Sequence, residues 1–267
     1  MQIGDLFGRD KPVIGMLHLA PLPGVPGTGG LETVRARLLA DAEALSTGGV
    51  DGLILENFGD APFYPTRVPP HTIAFMAVLG QEIRRRYPRP LGINVLRNDA
   101  KAALAIAAAV GAQFIRVNIY TGARLTDQGL IQGEAHEIVR YRQLLGSDIM
   151  VFADVAAKHS APVGYRPLTE EVEDTVQRGR ADAVIVSGPT TGREADLKDL
   201  IEAAEAAYGT PVLVGSGVSL SNLEGVLAHS DGVIVGTALK EEGLVANPVS
   251  PARVTEFMEL AQRLRRG

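Results

Sequence analysis

Glu56 and Asp154 are the carboxylates of this chain best placed for proton transfer. Each lies at the end of a short apolar run, GLILEN over 52–57 and IMVFADV over 149–155. In a partly desolvated setting one such carboxylate can have its pKa raised and act as acid or base. The pair can equally hold a hard divalent cation, Mg²⁺ being the natural candidate. It can also be purely structural, satisfied by backbone N–H groups and by Arg116. That arginine sits inside FIRVNI, where a guanidinium must be paired, either with one of these carboxylates or with a substrate anion. Lys158, in DVAAKHS, is an amine nucleophile if its pKa is lowered, an anion clamp, or a solvated loop lysine. Asn57, Asn94 and Asn118 stand at or near the ends of apolar runs, and would orient hydroxyl or carbonyl oxygens or cap loops. His18 and His159 flank strand ends too. No pair of histidines stands at the i, i+4 spacing of HExxH, so metal binding by histidine is weakly indicated.

A second chemistry is written in glycine. Val212–Val214 runs into Gly215-Ser216-Gly217, and Val233–Val235 runs into Gly236-Thr237. Glycine lets backbone come close to an anion, and N–H groups at a following helix start then point at it. Gly188, after an earlier run, joins Gly215, Ser216, Gly217, Gly236 and Thr237 as candidate phosphate contacts. The plain alternative is that these glycines only turn strand into helix. Ser221 is the expected N-cap of the helix after the first turn, with Glu224 completing a capping box.

These residues need a frame that brings them together. Eight apolar, mostly β-branched runs recur, near 13–19, 52–57, 91–96, 114–119, 149–155, 182–187, 211–215 and 232–236. They are continuous rather than alternating, as parallel strands covered on both faces are. Helical periodicity lies between them near 33–47, 71–87, 99–110, 133–145 and 168–179, after Asp196, and from Pro251 onward. Strand then helix, eight times, predicts an α/β fold of one (β/α)₈ barrel over 1–267, with a doubly wound open sheet as the alternative. Strand ends would then carry His18, Glu56, Asn57, Asn94, Arg116, Asn118, Asp154, Ser187, Ser216 and Thr237 to one mouth. That exceeds what core packing needs. Three long loops leave strand ends: 20–31, 58–70 and 120–132. The first two, rich in proline and carrying Phe58, Phe63 and Tyr64, are expected to fold over the mouth as a cover.

Composition narrows the classes. The chain has no cysteine, which removes disulfides and thiolate chemistry and suits a cytoplasmic setting. Net charge is −5 without a basic stripe, so nucleic acid is not an expected partner. No run reaches the roughly 18 uncharged apolar residues of a membrane span. GxxxxGK[ST] and GxSxG are missing, and the glycines of 215–217 lack GxGxxG spacing, against nucleotide P-loop, serine hydrolase and Rossmann readings.

Several longer words carry a resemblance: VIGMLHLAPLPG at 13–24, LENFGDAPF at 55–63, GINV at 92–95, Arg116–Asn118, FADVAAKH at 152–159, SGPTTG at 187–192 and VGSG at 214–217. With these the sequence resembles the BtpA family, also called SgcQ-like barrel proteins. The resemblance implies a ribulose-phosphate-binding type of barrel. It also implies a role in photosystem I biogenesis or thylakoid assembly in phototrophs, while other members stand beside sugar or nucleoside metabolism. It transfers no catalytic residues. The leading expectation is an enzyme acting on a small phosphorylated sugar or nucleoside-derived compound as isomerase, lyase or hydrolase. The alternative is a non-catalytic assembly factor. A homo-oligomer, with a second subunit completing the cover, is expected in either case.

Overall fold

Each of the eight apolar runs forms a strand. A computed structural model describes residues 3–157, 159–188 and 196–266. In chain order the elements are α1 (Ile3–Phe7), β1 (Val13–His18), α2 (Leu31–Thr47), β2 (Gly52–Glu56), α3 (Pro70–Arg86), β3 (Leu91–Asn94), α4 (Ala100–Val110) and β4 (Phe114–Val117). They continue with β5 (Ala123–Thr126), β6 (Gly129–Gln132), α5 (Ala135–Leu144), β7 (Met150–Val155), β8 (Ser160–Pro162) and α6 (Leu168–Glu173). The last are β9 (Ala183–Val186), α7 (Leu197–Ala206), β10 (Val212–Val214), α8 (Leu223–Ala228), β11 (Gly232–Val235) and α9 (Pro251–Leu264). Parallel pairing in the order β1-β11-β10-β9-β7-β4-β3-β2 closes the barrel. The open-sheet alternative is thereby excluded.

Two apolar cores explain why the runs are continuous. Ile14, Met16, Ile54, Phe114, Phe152, Ile185, Leu213 and Ile234 pack inside the barrel. Their chain neighbours Val13, Leu17, Leu53, Leu55, Ile115, Val151, Val184, Val212 and Val233 pack outward against the helices. Side chains alternate along a strand, so both phases of every run are buried. Phe114 stacks on Phe152 with centroids 4.6 Å apart, and Phe7 meets Phe114 edge-on at 5.8 Å. The short helix α1 thus plugs the N-terminal end of the barrel, and the sequence reading assigned no element there. Its signal is Ile3, Leu6 and Phe7 on one helical face.

The expected cover is half of what forms. The loops after β1 and β2 do pack together. Gly59 N–H donates to Leu19 O at 2.9 Å, and a side chain at Gly59 would lie 2.5 Å from Pro21 N, so only glycine permits the contact. Leu22 is fully buried beneath this junction. Phe58 packs on His18 at 4.7 Å between centroids. Tyr64, by contrast, is 56% exposed.

The 120–132 segment, read as a loop, is the hairpin β5–β6, with β8 added to make a three-stranded antiparallel sheet. Its Asp127-to-Gly129 turn between apolar pairs is a hairpin signal. Ile131 is buried with Ile119 and Ala157 beneath this sheet. The Arg124 guanidinium fixes it in place by donating to Ser160 Oγ at 2.6 Å and to the Glu171 carboxylate at 3.2 Å. Asn222, not Ser221, stands at the N-cap position of α8, and its side chain turns to the preceding loop instead of the helix. The Asn222 amide accepts from Ser219 N at 2.9 Å and donates to Gly217 O at 2.9 Å, so it also shapes the glycine turn.

Tyr120 joins the loop after β4 to the π-helical turn Asp174–Arg178 by donating its hydroxyl to Gly179 O. Burial pushes the phenol up to about 12. A raised folded-state value means the unfolded chain ionises first as pH climbs past 10. This contribution is fully present below pH 10 and is lost as pH rises toward 12. Urea unfolding should therefore show wild type losing about 2 kcal/mol more than Tyr120→Phe between those limits. Equal losses in the two proteins would mean the phenol is not held protonated.

Candidate active site

Strand phase decides which polar residues reach the mouth. Glu56 shares the inward face of Ile54, Arg116 that of Phe114, Asp154 that of Phe152, and His18 that of Met16. His18 and Glu56 are register partners across β1 and β2, as are Glu56 and Asn94 across β2 and β3. The inward top layer is therefore one arc of neighbouring side chains. Asn57 falls on the other phase and leaves the mouth. Its side chain accepts from Leu96 N at 2.7 Å and donates to Asp60 at 3.1 Å, while Asp60 accepts from Leu22 N at 2.9 Å. Asn98 likewise ties the β3 loop to the β4 loop, bonding both the N–H and the C=O of Ile119 at 2.8 Å.

The two carboxylates are not equivalent. Asp154 receives Arg116 Nη2 at 2.9 Å and Nε at 3.2 Å, and Asn118 Nδ2 at 2.7 Å. All three partners are almost wholly buried. Burial alone would lower the Arg116 pKa, but the charges of Asp154 and Glu56 outweigh it and leave the guanidinium firmly protonated. Glu56 has lighter engagement: Asn94 Nδ2 donates to Oε2 at 2.5 Å, and His18 Nε2 stands 3.6 Å from Oε1. Among the described residues, no group of three or more His, Asp or Glu side chains is arranged to hold a metal ion. Both Asp154 oxygens already carry donors, which works against a shared cation on Glu56 and Asp154. Lys158 lies outside the described residues, as do residues 189–192 of the SGPTTG word.

Two chambers open on this arc. The glycine chamber, about 190 Å³, is lined by His18, Glu56, Arg116, Gly215–Ser219 and the Gly236–Ala238 turn. The aromatic chamber, about 590 Å³, is lined by Glu56, Phe58, Phe63, Leu96, Arg97, Asn118, Asp127 and His159. Glu56 is the residue they share. Arg116 faces the first chamber and Asn118 the second, while Asp154 and Asn94 stand behind them and line neither. Gly188 is buried at the end of β9 and also lines neither. The Gly215 N–H donates to Val186 O at 2.8 Å, so this amide serves the barrel and not an anion. What Gly215 supplies is space: a side chain there would meet Ile185 at 2.4 Å and press on the Arg116 guanidinium at 3.1 Å.

The turn after β11 is held from outside the mouth. Lys240 Nζ donates to Asp41 Oδ2 at 2.8 Å, and Asp41 Oδ1 accepts from Val249 N at 2.8 Å. Burial lowers the Lys240 pKa against the pull of Asp41. This buried pair locks the Thr237–Leu239 turn onto α2.

Arg97 is the mouth residue that sequence reasoning missed. It is buried, its N–H donates to Tyr64 O at 3.0 Å, and burial lowers its pKa although Asp154, Asp127 and Glu56 pull the other way. The run of Arg97, Asn98 and Asp99 after an apolar strand was the available signal. All three are buried.

The family model for the BtpA family matches residues 9–263. The photosystem I biogenesis protein BtpA of a Synechocystis strain is 48% identical over 260 residues, covering 97% of this chain and 91% of that protein. Among solved structures, thiamine phosphate pyrophosphorylase from Pyrococcus furiosus superposes with a TM-score of 0.56 at 15% identity, over 95% of this chain and 96% of that one. N-(5'-phosphoribosyl)anthranilate isomerase from the same organism gives 0.56 at 15%, over 95% and 99%. At that identity the likeness concerns the barrel alone. No helix among the described residues is long and apolar enough to cross a membrane.

Proposed function

This chain belongs to the BtpA family, and from that premise we propose an enzyme that moves a proton on a small phosphorylated sugar or nucleoside-derived substrate, with Glu56 as acid and base. The observation that carries this reading is the position of Glu56, a buried carboxylate common to both chambers. Asp154 is withdrawn from acid/base work by its three donors and serves to position Arg116. Asn94 orients Glu56. Arg116 answers negative charge, either on the substrate or developing on a carbonyl oxygen as Glu56 takes a proton from the adjacent carbon. The phosphate end falls to the glycine chamber, where Gly217, Gly236, Thr237 and Ser216 form the wall and Gly215 leaves room. The two solved neighbours carry phosphorylated compounds in their names, which agrees with an anion-binding end but does not assign it.

Ribose 5-phosphate at a hundredfold excess over its dissociation constant should stabilise the protein by about 2.7 kcal/mol, visible as a higher Tm. Ribose alone should not. Thr237→Asp, which puts a carboxylate into the glycine chamber, should abolish the shift. If neither ribose 5-phosphate nor inorganic phosphate moves the Tm, the enzyme reading fails. The 48% identity to a photosystem I biogenesis protein then favours a non-catalytic assembly role.

A further inference from the structure

A phosphorylated sugar seated over Glu56 would leave the larger chamber unused. That chamber has the volume of a site for a drug-sized ligand, about three times that of its neighbour. Its walls are of two kinds. Phe58, Phe63, Leu96 and Ala61 supply apolar surface. Phe58 is a preformed wall, because its ring is already packed on His18. Arg97, Asn118 and Asp127 supply polar groups. With Glu56 and His159 the wall is mixed, and its two aromatic rings beside polar groups suit a ligand that has both an apolar face and polar edges.

Asn118 gives the sharpest constraint. Its side chain is buried, and its Oδ1 has no hydrogen-bond partner among the described residues. The amide cannot be turned over to cure this. Nδ2 donates to Asp154 Oδ2 at 2.7 Å, and a flip would set oxygen against carboxylate. An acceptor left bare in a buried place is costly unless a ligand supplies a donor. Bare sugar phosphate, held at the other side of Glu56, brings none here.

We propose that the aromatic chamber is a second subsite for a planar ring bearing an N–H or O–H donor, so that the ligand is a phosphorylated sugar conjugated to such a ring. The ring lies against Phe58 and Phe63, its donor meets Asn118 Oδ1, and the sugar bridges past Glu56 to the phosphate end. This assignment of the phosphate end rests on the reading given under Proposed function; the ring subsite does not.

Calorimetric titration with ribose 5-phosphate, the four common nucleoside 5′-monophosphates and unphosphorylated adenosine separates the two. At least one nucleotide should bind about tenfold or more tighter than ribose 5-phosphate, in keeping with the contribution of stacking on an aromatic side chain. Phe63→Ala, on a half-exposed loop position, should bring that ratio close to one and leave ribose 5-phosphate affinity unchanged. Nucleotides that bind no tighter than ribose 5-phosphate, or a ratio unmoved by Phe63→Ala, would overturn the ring subsite. If ribose 5-phosphate fails to bind while adenosine binds in a Phe63-dependent way, the phosphate end is wrong and the ring subsite stands.

Discussion

Asp154→Ala should cost about 3–5 kcal/mol of folding stability, measured by urea unfolding. The change removes the bidentate partner of Arg116 and leaves a guanidinium buried within the barrel mouth. It also strips Asn118 Nδ2 of its acceptor. Both groups are almost wholly buried, Arg116 at the wall of the glycine chamber and Asn118 at that of the aromatic one. The loss belongs to the stranded charge more than to the pair, since buried ion pairs gain little over well-packed apolar side chains. Asp154→Leu combined with Arg116→Met should therefore be more stable than Asp154→Leu alone. That non-additivity is the signature of direct contact. A cost below about 1 kcal/mol for Asp154→Ala would show that Arg116 finds water or another carboxylate, and the positioning role given to Asp154 would be wrong.

Glu56→Gln should lower turnover by about 10²–10⁴-fold, the range that general acid–base catalysis contributes. The amide can still accept from Asn94, so the arc keeps its shape and ribose 5-phosphate affinity should change less than tenfold. An assay that needs no knowledge of the product is uptake of solvent deuterium beside the carbonyl of the sugar phosphate, followed by NMR. Wild-type uptake that persists undiminished in Glu56→Gln would move the proton transfer to another group. Asp154→Asn offers the contrast: Asp154 lines neither chamber, so the variant should act through stability and the positioning of Arg116, with a smaller loss of deuterium uptake than Glu56→Gln.

The barrel was legible because its signal is redundant. Every barrel strand is a run of apolar residues buried on both phases, and the helix patterns between them fall on observed helices, the 168–179 pattern spanning α6 and the π-helical turn after it. Continuity of apolar character hides the phase, however, and phase decides which of two adjacent polar residues enters the mouth. Glu56 and Asn57 are the clearest case: one serves both chambers, the other staples loops. The plug helix, and which of its expected partners Arg116 would take, were hidden for a related reason. Both depend on what lies opposite in space, which local pattern does not encode. Arg97 stayed unseen because its strand ends three residues earlier, at Asn94, and bonds such as those of Arg97 N to Tyr64 O and Leu96 N to Asn57 bring the turn back over the mouth.

The staples formed by Asn57, Asp60 and Asn98 also bear on how this scaffold can acquire new ligand preferences. Loops after β1, β2, β3 and β4 are bonded to one another through buried side chains, so a change in one must be accommodated by its neighbours. Among the described residues none of those bonds reaches the β5–β6 hairpin, which is anchored at Arg124, away from the turn that carries Asp127. Replacing its turn alters one wall of the aromatic chamber and leaves Glu56 and its supports untouched. A library confined to residues 126–129 is therefore where altered selectivity should be found at the smallest loss of folded protein, and one spread over 57–60 is where it should be rarest.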